Sequence, residues 1–338
     1  MQDRETGEEM TNILLHEVGP RDGLQMESQV VPTDKKETWI RKLMESGVDI
    51  IQAGSFVHPE KVPQMADTDE LFRRILAVKE PPSPKGLPRR QAGGSSPLPK
   101  GKEGKKSSVV LSALVLNEKG LERGLACGVE MFCMGASASE THSRKNTGMG
   151  TEEAVRRIIG VAKTAVAANK KVQISVQSAF GCGFEGPIAE ERVLGMVRAY
   201  LKAGLSRISL ADTAGHAHPA QVERLFGEIH RMDSGAECAC HFHNTYGLGM
   251  ANIFAALRSG ATSYETSFAG LGGCPFTKVA AGNVATEDFV HALQKQGLRT
   301  DVNLHSLIGI ARDVAAHFGR DMQGFIYKTG PISAKERV

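Results

Sequence analysis

Hydrophobic and polar positions alternate along the chain in a repeating way. Short runs rich in β-branched and other apolar residues appear at 12–18 (NILLHEV), 48–54 (VDIIQAG), 108–116 (SVVLSALVL) and 129–135 (VEMFCMG). Four more follow at 172–178 (VQISVQS), 205–211 (LSRISLA), 237–243 (ECACHFH) and 261–268 (ATSYETSF). Each has the length and composition of a candidate strand. The stretches between them repeat at helical spacing, as in 151–169, where Val155, Ile158, Ile159, Ala162, Ala165 and Val166 share a face behind Thr151 as N-cap. Asp34 and Glu37 read as a capping box, and Pro219 suits the first turn of a helix. Glycines in ESGVDII (45–51) and KAGLSRI (202–208) mark helix ends that feed directly into strands. Eight strand–helix units predict an α/β fold, a (β/α)8 TIM barrel, with a doubly wound open sheet as the alternative.

Two segments depart from this rhythm. The stretch 81–108 holds six of the chain's fourteen prolines and has no apolar periodicity, so a flexible, disordered basic insertion is expected over 81–107. It falls between the second helix and third strand, at the N-terminal face of a barrel, away from the end where barrel enzymes work. The predicted organisation is a flexible start over 1–10, a barrel over 11–320 and a tail over 321–338. A helical pattern over about 303–319 is expected to pack outside the barrel as an extra C-terminal helical segment.

Composition narrows the class. The 338 residues are 41% hydrophobic and 23% charged, the balance of a globular protein that can bury a large core. No apolar run reaches the length of a membrane span, and the acid-rich start is unlike a targeting segment, so a cytoplasmic protein without a membrane partner is expected. The formal charge of +3 is concentrated in 80–107, which carries net +5, leaving about −2 elsewhere and no nucleic-acid signature. The six cysteines (127, 133, 182, 238, 240 and 274) form no CxxC pair and read as reduced thiols.

Barrel chemistry sits at the C-terminal ends of the strands. The first strand ends in a Gly/Pro-shaped turn that sets Arg21 beside Asp22, with Gln25 following. At the end of the seventh, His241 and His243 share one face by strand parity, while Cys238, Cys240 and Phe242 take the other. This separates the histidines from the cysteines and argues against a mixed zinc site. After the eighth strand, three glycines precede Cys274, and Asn283 follows in the same loop. Asp22, His241, His243 and Asn283 together offer oxygen and nitrogen ligands and no sulfur. That set suits octahedral Mg2+ or Mn2+ better than Zn2+, and its two imidazoles favour Mn2+.

The stretches EVGPRDGLQ, SFVHPEKVPQMAD, FGCGFEGPI, ADTAG, HFHNTYGLGMAN and GLGGCPFTKVAAGNVATED closely resemble the 3-hydroxy-3-methylglutaryl-CoA lyase family, metal-dependent barrels related to isopropylmalate synthase. The resemblance runs from about residue 12 to 320, and the GLGGCP loop separates the lyases from the condensing synthases. It implies retro-Claisen cleavage of an acyl-CoA thioester, with a divalent metal on Asp22, His241, His243 and Asn283. His241 would also belong to the catalytic set. Arg21 would polarise the thioester carbonyl, Cys274 would protonate the enolate, and Asp212 would assist deprotonation of the substrate hydroxyl. It further implies a homodimer or larger homo-oligomer and no organic cofactor beyond the substrate's CoA. One departure stands out: Gln52 occupies a position where the family carries a glutamate, which leaves open a changed acyl-CoA substrate or weaker activity. His216 and His218 also differ from the usual turn, either lining a modified pocket or capping the next helix.

Overall fold

A computed structural model describes residues 12–77, 109–273 and 282–332. The 1–10 and 81–107 segments, Cys274 and the last residues of the tail lie outside the described residues. Eight parallel strands close into one barrel in sequence order: β1 (Leu14–Glu17), β2 (Ile50–Ser55), β3 (Val110–Leu114), β4 (Met131–Ser137), β5 (Lys171–Gln177), β6 (Arg207–Asp212), β7 (Glu237–Phe242) and β8 (Ser263–Thr266). All eight predicted strands are present, and closure between β8 and β1 (Leu14 opposite Ser263, Glu17 opposite Thr266) excludes the open sheet. A bulge at Ala53 interrupts the β2–β3 pairing, with Gln52 opposite Ser112 and Gly54 opposite Ala113.

The helices are α1 (Thr33–Ser46), α2 (Thr68–Ala77), α3 (Glu118–Ala126), α4 (Glu140–Thr147), α5 (Thr151–Ala167), α6 (Glu190–Lys202), α7 (Pro219–Met232), α8 (Gly249–Arg258), α9 (Thr286–Gln294), α10 (Leu304–Phe318) and α11 (Ile326–Thr329). Their apolar faces cover the outside of the barrel, where Leu15, Ile51, Leu111, Ile174, Ile208 and Cys240 are buried in one continuous core. The lumen is different: His16, Gln52, Ser112, Gln173, Ser209, His241 and Glu265 are all buried polar groups.

Two helix starts differ from expectation. Helix α1 begins at Thr33 behind Pro32 with no side-chain cap; Asp34 instead pairs with Arg74, and Glu37 with Arg41 one turn away. Helix α5 starts one residue earlier than a Thr151 cap requires, with Gly150 as N-cap and the Thr151 amide donating to Glu140 Oε2 at 2.8 Å. Pro219 does open α7, and Gly47 ends α1 in the left-handed region at φ 95°. Helix α10 packs outside the barrel against α1 and α9. The chain continues to dock beyond residue 320: Met322 and Tyr327 are buried, and the Gly324 amide donates to the Ala269 carbonyl.

Candidate metal centre

The site is assembled from three strand ends. After β1 the backbone winds so tightly that the Val18 carbonyl accepts from the amides of Arg21 (3.0 Å), Asp22 (2.7 Å) and Gly23 (3.4 Å). This widened turn pitches Arg21 and Asp22 over the lumen. At the end of β7, His241 faces inward while Cys240 and Phe242 pack outward, Phe242 against Phe180. His243 lies one step past the strand, where it forms an antiparallel bridge with Asn283. Only glycine fits at 282, because a Cβ there would fall 1.8 Å from the Gly270 carbonyl oxygen. At Gly272, where φ is 113°, a Cβ would fall 2.5 Å from the Asn283 side-chain nitrogen.

Asp22, His241 and His243 each direct a ligand atom into one space, with all three atoms within 4.8 Å of one another. His241 Nε2 and His243 Nε2 are 3.1 Å apart, and Asp22 Oδ2 lies 3.8 and 3.7 Å from them. Asn283 Nδ2 donates to Asp22 Oδ2 at 2.8 Å, and its Oδ1 is buried with no partner among the described residues. Two facing imidazole nitrogens and a carboxylate form a candidate donor set for a divalent cation, and Asn283 adjoins it through its bond to Asp22. Burial alone would raise the Asp22 carboxyl. The Arg21 guanidinium and the two histidines outweigh it and hold Asp22 well below the usual carboxylate range, in the deprotonated form a ligand needs.

Arg21 is clamped. Its Nε donates to Gln52 Oε1, and a terminal nitrogen donates to Asp22 Oδ1 at 2.6 Å. Gln52 thus orients the guanidinium as a carboxylate would, without neutralising it. These groups border a cavity of about 540 Å3, whose wall also includes Gln25, Leu114, Met134, Met149 and Gly273. Gln25 Oε1 is buried without a partner among the described residues. Gly273 is the chain neighbour of Cys274.

Asp212 is not brought into the cavity wall. On β6 the residues facing the cavity are Ser209 and Ala211, followed by Thr213. Asp212 points the other way, where Oδ1 accepts from the His216 amide (2.8 Å) and Oδ2 from the Ala217 amide (3.0 Å). Burial raises its carboxyl. His216 and His218 also stay off the wall: the His216 ring lies 5.7 Å from Tyr246, and His218 occupies the N-cap position of α7. Sequence reading passed over Glu265, which is 5% exposed and contacts His241. The available signal was a carboxylate inside a strand buried on both faces.

A closed (β/α)8 barrel with this cluster at its catalytic mouth defines a barrel enzyme with a candidate divalent-metal centre. The HMGL-like family model matches residues 99–314. The hydroxymethylglutaryl-CoA lyase of Bacillus subtilis is 34% identical over 310 residues, covering 92% of this chain and 94% of the relative. A Pseudomonas aeruginosa 3-hydroxy-3-isohexenylglutaryl-CoA/hydroxymethylglutaryl-CoA lyase is 33% identical over 308 residues, covering 91% and 93%. The structure of an Acinetobacter baumannii HMG-CoA lyase in complex with coenzyme A and 3-methylmalate superimposes with a TM-score of 0.83 at 33% identity, covering 98% of this chain and 99% of that one. The chain belongs to the HMGL-like family and is a carbon–carbon lyase of that family.

Proposed function

We propose that the chain cleaves 3-hydroxy-3-methylglutaryl-CoA, or a close acyl-CoA analogue, to acetoacetate or a related ketoacid and acetyl-CoA, with Mn2+ or Mg2+ bound. The observation that carries this reading is the convergence of Asp22, His241 and His243, with Asn283 bonded to Asp22, beside the clamped Arg21. These four side chains would hold the cation, which supplies Lewis-acid polarisation of the substrate's oxygens when bound. Arg21, fixed by Gln52 and Asp22, directs its remaining N–H donors at the thioester carbonyl. There they stabilise the enolate that receives the electron pair of the broken C–C bond. Cys274 returns a proton to the enolate carbon, and the C3 hydroxyl gives up its own proton to solvent water as its oxygen becomes the ketone of the ketoacid. Asp212 acts as a positioning residue for the 216–217 backbone rather than as the hydroxyl's base. The protein works as a homodimer or larger assembly in the cytoplasm; among the described residues no helix is long and apolar enough to cross a membrane.

Cys274→Ala should abolish turnover while leaving Mn2+ bound, as read by coupled acetyl-CoA assay and metal titration. Normal turnover in that variant would remove the acid role from Cys274. A second reading, a longer branch at C3, is favoured by the volume and by the Leu114, Met134 and Met149 wall. Comparing kcat/KM for thioesters with methyl and longer alkyl branches decides between the two.

A further inference from the structure

Beneath the metal cluster, four strands meet in one buried polar network. Glu265 of β8 accepts at Oε1 from Gln173 Nε2 of β5 (2.5 Å) and from the Ser209 hydroxyl of β6 (3.1 Å). Its other oxygen, Oε2, lies 2.9 Å from His241 Nδ1 of β7. A carboxylate only accepts, so His241 Nδ1 carries the hydrogen and donates it. His241 Nε2 is then the atom that faces His243 Nε2 and Asp22 Oδ2. We propose that Glu265 is the positioning residue of the metal centre: it fixes the tautomer and the ring orientation of His241, so that Nε2 presents its lone pair to the cation. This rests on the metal-site reading above and adds a residue to it.

The network makes the carboxylate rigid as well as charged. Two hydrogen-bond donors, Gln173 Nε2 and the Ser209 hydroxyl, converge on Oε1 and favour the ionised form. The two donors on Oε1 leave Oε2 for His241. An amide at 265 would keep the shape but remove the charge, and could present either its oxygen or its NH2 to Nδ1. The imidazole would then lose its single preferred tautomer. Partners of this kind behind a metal-bound histidine contribute about 10- to 100-fold in metal affinity.

The test is an EPR-monitored Mn2+ titration of the full-length, EDTA-stripped protein, with thermal melts on every variant. Glu265→Gln should weaken Mn2+ binding about 10- to 100-fold. Ser209→Ala, which removes one of the two bonds that seat the carboxylate but none to His241, should lose less affinity than Glu265→Gln. Glu265→Asp retains the charge and should fall between wild type and Glu265→Gln; it serves as the deciding variant if Glu265→Gln does not fold. Long-range 1H–15N histidine spectra of the metal-free protein should show His241 protonated at Nδ1 in wild type and a tautomer mixture in Glu265→Gln. Wild-type affinity in Glu265→Gln, or in a folded Glu265→Asp when Glu265→Gln does not fold, overturns the positioning role, as does an equal loss in Ser209→Ala. Mn2+ binding that survives Asp22→Ala instead overturns the metal-site reading itself.

Discussion

At the scale of single residues, Gln52 is the departure with the clearest geometric consequence. Its side-chain oxygen takes the Arg21 Nε hydrogen, so the guanidinium keeps its place although the carboxylate that the family resemblance implies is missing. Hydrogen bonds to charged groups contribute about 1.5–3 kcal/mol. Gln52→Ala should therefore lower kcat/KM by about tenfold or more while leaving Mn2+ affinity unchanged. Steady-state kinetics beside a metal titration checks this, and an unchanged kcat/KM would show that Arg21 needs no partner on β2. The approach of His241 and His243 was legible in the sequence because a histidine pair at i and i+2 in an apolar strand has one face to share. Asp212 follows Ser209 and Ala211, which define the inward face of β6, and its strand-end position alone does not reveal that its carboxyl turns to the 216–217 backbone. Glu265 was passed over because a lone acidic residue in SYETSF carries no spacing signal. Its meaning comes from Gln173, 92 residues away, and His241, 24 away.

At the scale of elements, all eight strands were legible because parallel barrel strands are buried on both faces and so read as continuous apolar runs. Helix starts were less so. Thr, Asp and Glu near a helix start serve equally as caps or as partners for distant arginines, and Asp34 chose Arg74, which is 40 residues away. Two further carboxylates tie the β8–α9 connection to the barrel. Glu17 Oε1 accepts from the Phe268 amide and Oε2 from the Thr286 hydroxyl, while Glu287 Oε2 accepts from the Ala269 amide. Burial pushes Glu17 up to about 7 and Glu287 up to about 8, from an ordinary 4.5. The folded state thus keeps protons that the unfolded chain has released. The stability linked to these groups is full below about pH 4.5 and is lost as pH rises through about 7 to 8, at no more than about 1.4 kcal/mol per pH unit for each group. Glu287→Gln should flatten the fall in Tm of metal-free protein between about pH 5.5 and 8. A variant whose Tm declines as steeply as wild type would remove Glu287 from this linkage.

At the scale of the whole molecule, barrel closure brings together residues that are remote in sequence. Asp22 and Asn283 lie 261 positions apart, yet they share a hydrogen bond because β8 returns to β1 and residues 282–284 lie along the end of β7. Motif spacing could nominate both residues, but their approach depends on closure and on the glycine at 282, and so became visible only in three dimensions. The polar lumen beneath them was less apparent still, since single serines, glutamines and histidines in apolar strands do not announce a common interior. A divalent cation at this barrel mouth is expected to be required for breaking the carbon–carbon bond of a hydroxyacyl-CoA. Incubating EDTA-stripped protein with 3-hydroxy-3-methylglutaryl-CoA, with and without Mn2+, and quantifying products by mass spectrometry measures this requirement. Acetyl-CoA and acetoacetate should form in equal amounts, with Mn2+ only, and both should be lost in Asp22→Ala. Cleavage that proceeds equally without metal, or in Asp22→Ala, would contradict this expectation, as would an intact thioester in the presence of Mn2+.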